Sequence, residues 1–267
     1  MAYTLRCLLL LNSREKKIID KGCVMTNTYR FADKYIQVSS VYSKVHELCS
    51  DYRAEGPADF SVETGQSDID FERMRSARED KAEGLPCRSF SDAYLETLAV
   101  YRKIAERMPD FDTVLFHGSC VAVDGAGYLF IAKSGTGKST HTRLWRELLG
   151  ERAVMVNDDK PLIRLTDAGA VVYGTPWNGK HRLGSNISVP LKAICILARA
   201  AENNICPVTA REAYPMLLQQ VYRPMDSAAM GKTIALIDQL ASSVNLWRLG
   251  CNMSIEAAKL AYDTMKG

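Results

Sequence analysis

The chain has no run of about 18 apolar residues, so no stretch of it predicts a helix that crosses a membrane. Charge of one sign is also lacking. Lys and Arg number 34 against 31 Asp and Glu, a net charge of +3 that gives no basis for a nucleic-acid or membrane partner. The eight cysteines include no Cys-x-x-Cys pair, which argues against a zinc site or a disulfide framework and for reduced thiols in a cytoplasmic setting. No internal repeat or low-complexity tract is present. The opening apolar segment, Arg6–Leu11, is short and runs into polar residues, so it reads as a strand and a turn rather than a targeting signal. What remains is ordinary globular composition, 47% hydrophobic and 24% charged, long enough for one large domain or a catalytic domain with a small partner.

The most specific segment is Ala132-Lys133-Ser134-Gly135-Thr136-Gly137-Lys138-Ser139-Thr140, directly after the apolar run 127–131. A strand followed by a glycine-rich turn and a helix makes a phosphate-binding loop. Gly135 and Gly137 can take positive φ and let backbone N–H groups approach phosphate oxygens. Lys138 supplies a charge for the β- and γ-phosphates, and the Ser139 hydroxyl suits Mg²⁺. The helix that follows aims its positive end at the same anion. Residues 134–140 are therefore the nucleotide-binding candidates. Ala132 stands where the pattern usually opens with glycine.

Two further features lie nearby. His117-Gly118-Ser119 precedes Cys120–Val123, and Asp124-Gly125 reads as a hairpin turn into the strand that ends at the loop. This arrangement can bring His117 to the phosphates. After the loop helix, Ala153–Asn157 forms an apolar strand ending in Asp158 and Asp159. Carboxylates at a strand end suit Mg²⁺, directly or through water, or a general base facing a hydroxyl. Side chains of neighbouring residues point opposite ways, so the two need not share a role.

These residues resemble the nucleotide core of HPr kinase/phosphorylase and ATP-dependent phosphoenolpyruvate carboxykinase. The segments Tyr173–Lys180 and Asn186–Leu191 are similar to those of small HPr-kinase-like peptide serine kinases, such as accompany lasso-peptide pathways. The resemblance spans about residues 90–267. It implies an α/β fold, a phosphate-loop catalytic domain with a mixed β-sheet flanked by helices. It implies ATP and Mg²⁺ as cofactors, with Ser139, Asp158 and Asp159 around the metal. An acid of the pair would deprotonate a substrate hydroxyl, His117 would assist, and Lys180 would contact phosphate. It leaves a homo-oligomer open, as HPr kinases form one. The Glu-Ile-Arg-Gly segment of HPr kinases is absent, which speaks against HPr as substrate and against the reverse reaction.

The expected organisation is a small N-terminal α+β domain over 1–85 and a catalytic domain over 86–267. Strands are expected at Tyr3–Leu11, Cys23–Met25 and Tyr35–Val38, and a helix over 41–53 with His46 on its surface. A solvated helix or connection is expected over 72–85, and an amphipathic helix over 92–108. Further on, Val171–Tyr173 is a strand and Ala193–Ala198 a doubly covered central strand. Thr209-x-x-Glu212 opens a helix to about Val221, Leu246–Leu249 is a strand, and Ser254 caps a last helix. The glycine-containing loop 174–186, with Trp177, Lys180, His181 and Arg182, is the candidate acceptor-binding element. The function expected is an ATP-dependent kinase acting on a hydroxyl, a Ser or Thr of a peptide or protein. A small-metabolite kinase and a nucleotide-binding regulator with little turnover are the alternatives.

Overall fold

The computed structural model describes residues 24–82, 84, 86–179 and 181–267. The expected strand Tyr3–Leu11, Cys23 and Lys180 lie outside them. The chain divides into two compact units, Met1–Ile104 and Ala105–Gly267.

In the first unit, β1 (Met25–Phe31) and β2 (Lys34–Ser40) pair antiparallel, and β3 (Phe60–Glu63) adds parallel to β2. β1 runs well beyond the expected Met25. Its alternating Tyr29 and Phe31 are buried, the period-2 pattern of a half-buried strand. The helix expected over 41–53 is shorter. α1 covers Ser43–Leu48, and a 3₁₀ turn follows at Ser50–Tyr52. His46 is not a surface residue. Its Nδ1 lies 2.6 Å from Tyr29 Oη, and its Nε2 lies 3.0 Å from the Met25 carbonyl. Both ring nitrogens are thus engaged within the first unit, a structural role, and burial lowers the pKa of the ring. α2 (Gln66–Ala82) and α3 (Asp92–Arg107) follow. The charged α2 is more than a solvated rod: Glu72 is buried and accepts from Arg102 at 2.6 Å. Glu96 of α3 accepts the backbone N–H groups of Val41 and Tyr42, both at 2.7 Å, just ahead of α1.

The second unit is a mixed α/β layer structure. Its strands are β4 (Thr113–Leu115), β5 (Ser119–Val123), β6 (Ala126–Ile131), β7 (Ala153–Asn157), β8 (Leu162–Thr166), β9 (Gly169–Tyr173), β10 (Ser188–Arg199), β11 (Asn204–Pro207) and β12 (Asn245–Cys251). They form one nine-stranded sheet in the order β4-β8-β9-β10-β6-β5-β7, with β12 between β10 and β11. The long β10 bonds β9 at its start, then runs parallel to both β6 and β12. The helices are α4 (Lys138–Leu149), α5 (Ala210–Gln220), α6 (Ser227–Ser243) and α7 (Ile255–Met265).

Alternation decides which helices cover which face. Cys120, Leu129, Ile131, Ile194 and Ile196 point into a core that includes Leu217 of α5 and Leu240 of α6. Val121, Phe130, Cys195 and Leu197 point into the other, with Trp145 of α4 and Ala258 of α7. Both faces are buried, which explains the nearly continuous apolar runs in β5, β6 and β10. The capping box at Thr209 forms, with Glu212 N–H donating to Thr209 Oγ1 and the Glu212 carboxylate accepting from Thr209 N–H. Ser254 occupies its N-cap position, but its side chain makes no capping hydrogen bond.

Candidate active site

Antiparallel pairing of β5 with β6 puts the start of β5 beside the end of β6, Ser119 opposite Phe130. β7 pairs on the other side of β5, so its end reaches the same edge. The sheet thus brings 117–119, the glycine loop after Ile131 and the 157–159 turn together. The loop has the backbone its sequence demands. Gly135 has φ +74° and Gly137 +123°, values that L side chains rarely adopt. Ala132, the departure from the usual pattern, is fully buried and has no positive φ, so the fold asks for no glycine there.

Lys138 begins α4 and is mostly buried. Its Nζ folds back onto the Ala132 carbonyl, 3.2 Å away. Burial lowers its pKa, and the nearby Asp159 carboxylate opposes that shift. Ser139 is exposed on the first turn of the helix.

The two aspartates separate. Asn157, fully buried, makes the turn that divides them: its Oδ1 accepts from Asp159 N–H at 2.8 Å and Lys160 N–H at 2.6 Å. Its Nδ2 donates to the Thr175 carbonyl at 3.0 Å. Asp159 then faces His117, with Oδ1 3.2 Å from Nε2, while its Oδ2 is 3.3 Å from Lys160 Nζ. Burial raises its pKa, but the His117 hydrogen bond and the Lys160 charge outweigh that and hold it below the ordinary carboxylate value. Asp158 instead accepts the Gly179 N–H at 2.6 Å. Burial raises its pKa, against the lowering effect of backbone donors from Gly179 and Leu183. One carboxylate faces the glycine loop, and the other accepts from the backbone of Gly179 and Leu183.

Sequence reasoning missed three residues here. Asn157 carried a legible signal, since Asn before Asp-Asp at a strand end suits a side-chain-capped turn. Lys160 was readable only as a charge. Gln220, at the end of α5, gave no hint at all. Its amide is assigned with the nitrogen toward His117, the orientation that lets it donate to acceptors, 3.3 Å from Nδ1 and 3.2 Å from the Ala132 and His117 carbonyl oxygens. A donor on Nδ1 leaves the ring proton on Nε2, where it points at Asp159.

The remaining candidates lie in the loop 174–186. Trp177 is buried within it, not displayed to a partner, whereas His181 and Arg182 are exposed and Arg182 takes a φ of +51°. Among the described residues no three His, Cys, Asp or Glu side chains converge on a metal position. None of their helices is long and apolar enough to cross a membrane.

A family model described as ScmC, SynChlorMet cassette protein ScmC, matches residues 91–236. No curated protein matches the chain. Among solved structures, the Hpr(Ser) kinase/phosphatase from Coxiella burnetii is similar with a TM-score of 0.33 and 9% identity, over 57% of this chain and 99% of that one.

Proposed function

The chain belongs to the ScmC family of SynChlorMet cassette proteins, and from the site it carries we propose that it is an ATP-dependent kinase whose acceptor is a hydroxyl, a Ser or Thr of a peptide or protein. The observation that supports this best is the Asp159 carboxylate, held anionic by His117 and Lys160 and facing Lys138 at the mouth of a glycine loop. A protein that only bound nucleotide would need the loop and the lysine. It would not need an oriented carboxylate–imidazole pair beside them.

In this reading the N–H groups of 134–139 and the start of α4 receive the triphosphate. Lys138 leaves the Ala132 carbonyl for the phosphates, an exchange that lets its partly desolvated charge meet an anion. Thr140, two residues further, lines the same approach. Asp159 accepts the proton of the attacking hydroxyl as oxygen bonds to phosphorus and ADP departs. His117, its Nδ1 held by Gln220, keeps Asp159 oriented through the Nε2–H. Asp158 fixes the loop that carries His181 and Arg182 at the acceptor side. Lys180 belongs to that loop, and a phosphate contact from it is part of the same proposal.

The residues fit Mg²⁺. The Ser139 hydroxyl and the acidic pair are hard oxygen donors, and the lack of a three-ligand protein cage suits an ion that takes its other ligands from phosphates and water. When bound, Mg²⁺ neutralises developing charge on the phosphates.

The test is transfer of label from γ-labelled ATP, with Mg²⁺, to a library of serine- and threonine-containing peptides and to small hydroxyl metabolites. Labelled peptide is expected. Label on a metabolite alone would replace the acceptor class, and absence of transfer with every acceptor and with water would overturn the kinase reading.

A further inference from the structure

β6, β10 and β12 are parallel neighbours, so their carboxyl ends open on one edge of the sheet. β6 delivers the glycine loop there. His117 and Asp159 reach the loop from the β5 and β7 flank. The opposite flank, at the ends of β10 and β12, holds a cavity of about 430 Å³ that runs from Gly135–Gly137 and Thr140 to Leu197, Arg199 and Met253. Its walls are mostly apolar with a few polar groups, the make-up of a small-molecule pocket. The cavity is tied to the loop, because Arg199 donates to the Gly135 carbonyl at 2.5 Å.

His141 also lines this cavity and is 2% exposed. Its Nε2 accepts from Trp145 Nε1 at 3.1 Å, which places the proton of the neutral ring on Nδ1. Nδ1 has no hydrogen-bond partner among the described residues. A buried donor without an acceptor is uncommon and calls for one. At the rim, Met253 is 81% exposed, a flexible thioether suited to lie against a planar ring.

We propose that this cavity receives the base and ribose of the nucleoside triphosphate, so that the nucleotide crosses the glycine loop with its base on the β10–β12 flank and its γ-phosphate on the His117–Asp159 flank. The inference rests on the kinase reading for the phosphates, and adds where the rest of the donor binds. Loop and acidic pair alone would hold any polyphosphate. The apolar wall of Leu144 and Leu197, closed by Met253, makes the chain select a nucleoside.

Calorimetry on the full chain with Mg²⁺ separates the two ideas, using ATP and inorganic triphosphate as probes. ATP is expected to bind at least about tenfold tighter than triphosphate. Ala200→Trp, which fills the cavity from a partly exposed position, is expected to remove that advantage while triphosphate affinity stays within about twofold. Met253→Ala, on an exposed side chain that cannot unsettle the core, is expected to weaken ATP about threefold and triphosphate not at all. Should Ala200→Trp lose triphosphate as well, it is misfolded and Met253→Ala decides. Equal affinity of the wild type for ATP and triphosphate would leave the phosphate loop standing and overturn the base pocket. A preference for ATP that neither variant reduces would place the base elsewhere and overturn it too. No binding of either probe would bring down both readings.

Discussion

Asp159→Asn isolates the proposed base with little else disturbed. The amide has the volume of the carboxylate, and its oxygen can still accept the His117 Nε2–H that now lies 3.2 Å from Oδ1. What disappears is the negative charge and with it the basicity. The pKa of Asp159 is already held below the ordinary value by His117 and Lys160, so the group is ionised throughout the working range and the variant removes a full charge. Loss of a positioned general base slows a reaction about 10²–10⁴-fold, roughly 3–5 kcal/mol on the barrier. Nucleotide affinity is expected to change little, because the triphosphate loses a repelling charge while Mg²⁺ keeps the amide oxygen as a weaker donor. Asp158→Asn acts differently. It weakens the bonds from the Gly179 N–H, 2.6 Å long, and from the Leu183 backbone, and so loosens the loop at those two residues. It also removes a charge that burial disfavours, so stability changes little. The acceptor KM is then expected to rise with kcat reduced less than about tenfold. The assay is steady-state label transfer with calorimetric ATP affinity for both variants. Wild-type turnover by Asp159→Asn would refute the reasoning. So would a collapse of kcat in Asp158→Asn with acceptor KM unchanged, since that pattern would make Asp158 the base.

Other expectations follow from the same geometry. Gln220→Leu frees the His117 ring, and kcat is expected to fall about tenfold with an altered pH profile and unchanged ATP affinity. An unaltered pH profile would make Gln220 merely structural. Lys138→Ala is expected to weaken ATP binding by at least about tenfold, roughly 1.4 kcal/mol, in a direct titration; unchanged affinity would count against the phosphate loop. Ala132→Gly restores the usual opening residue but is expected to cost about 0.5–1 kcal/mol in urea unfolding without improving affinity, because position 132 needs no positive φ. His141 is buried neutral, and burial lowers its pKa to about 4 from the ordinary 6.5. The unfolded chain therefore binds this proton first as pH falls. His141 contributes its full share of stability above pH 6.5, and that share, on the order of 3 kcal/mol, drains away toward pH 4. Urea midpoints between pH 7 and 4.5 should decline more steeply in the wild type than in His141→Gln, and parallel declines would refute it.

How much of this was legible in the sequence depends on whether the cause is local. The glycine loop was readable because its conformation is dictated by its own residues: Gly135 and Gly137 take the φ values that only glycine adopts freely. The strand before it and helix after it announced themselves by apolar period. β5, β7 and the Thr209 capping box were readable for the same reason. Short strands such as β3, β8 and β11 were not. Four or five residues with partial alternation carry little periodicity, and pairing with distant partners decides their state. α6 escaped too, although Asp226 caps it by accepting the Ala229 N–H at 2.8 Å and Leu236, Ile237 and Leu240 share a buried face. Gly231 in its first turns and the loop-like residues before it masked that pattern. At the site, the Asp pair and His117 were legible as types at suggestive spacings. Gln220 was invisible, because its relevance comes only from the end of α5 meeting the start of β5.

The division of labour between the two aspartates shows how a single buried side chain turns a motif into a mechanism. Two adjacent carboxylates at a strand end repel each other and, in extended backbone, would simply point to opposite faces. Asn157 changes this by accepting the N–H groups of both Asp159 and Lys160, which bends the chain immediately after β7. The bend brings the Asp159 carbonyl to the Gly118 N–H, 3.0 Å away, so the backbone of the base residue is tied to the backbone beside His117. The same Asn157 side chain holds Thr175 through its Nδ2, and the Thr175 hydroxyl donates back to the Lys160 carbonyl at 2.7 Å. The turn with the proposed base and the loop with the proposed acceptor contacts therefore share one fully buried amide. Asn157→Ala would leave two backbone donors and the Thr175 carbonyl without their partner at once, each worth about 1–3 kcal/mol when buried. Such a variant should lose phosphoryl transfer and thermal stability together, whereas Asp159→Asn loses transfer alone. Comparing the two by melting temperature and label transfer separates the scaffold of the site from its chemistry, and equal melting temperatures with equal loss of transfer would show that Asn157 does not hold the turn.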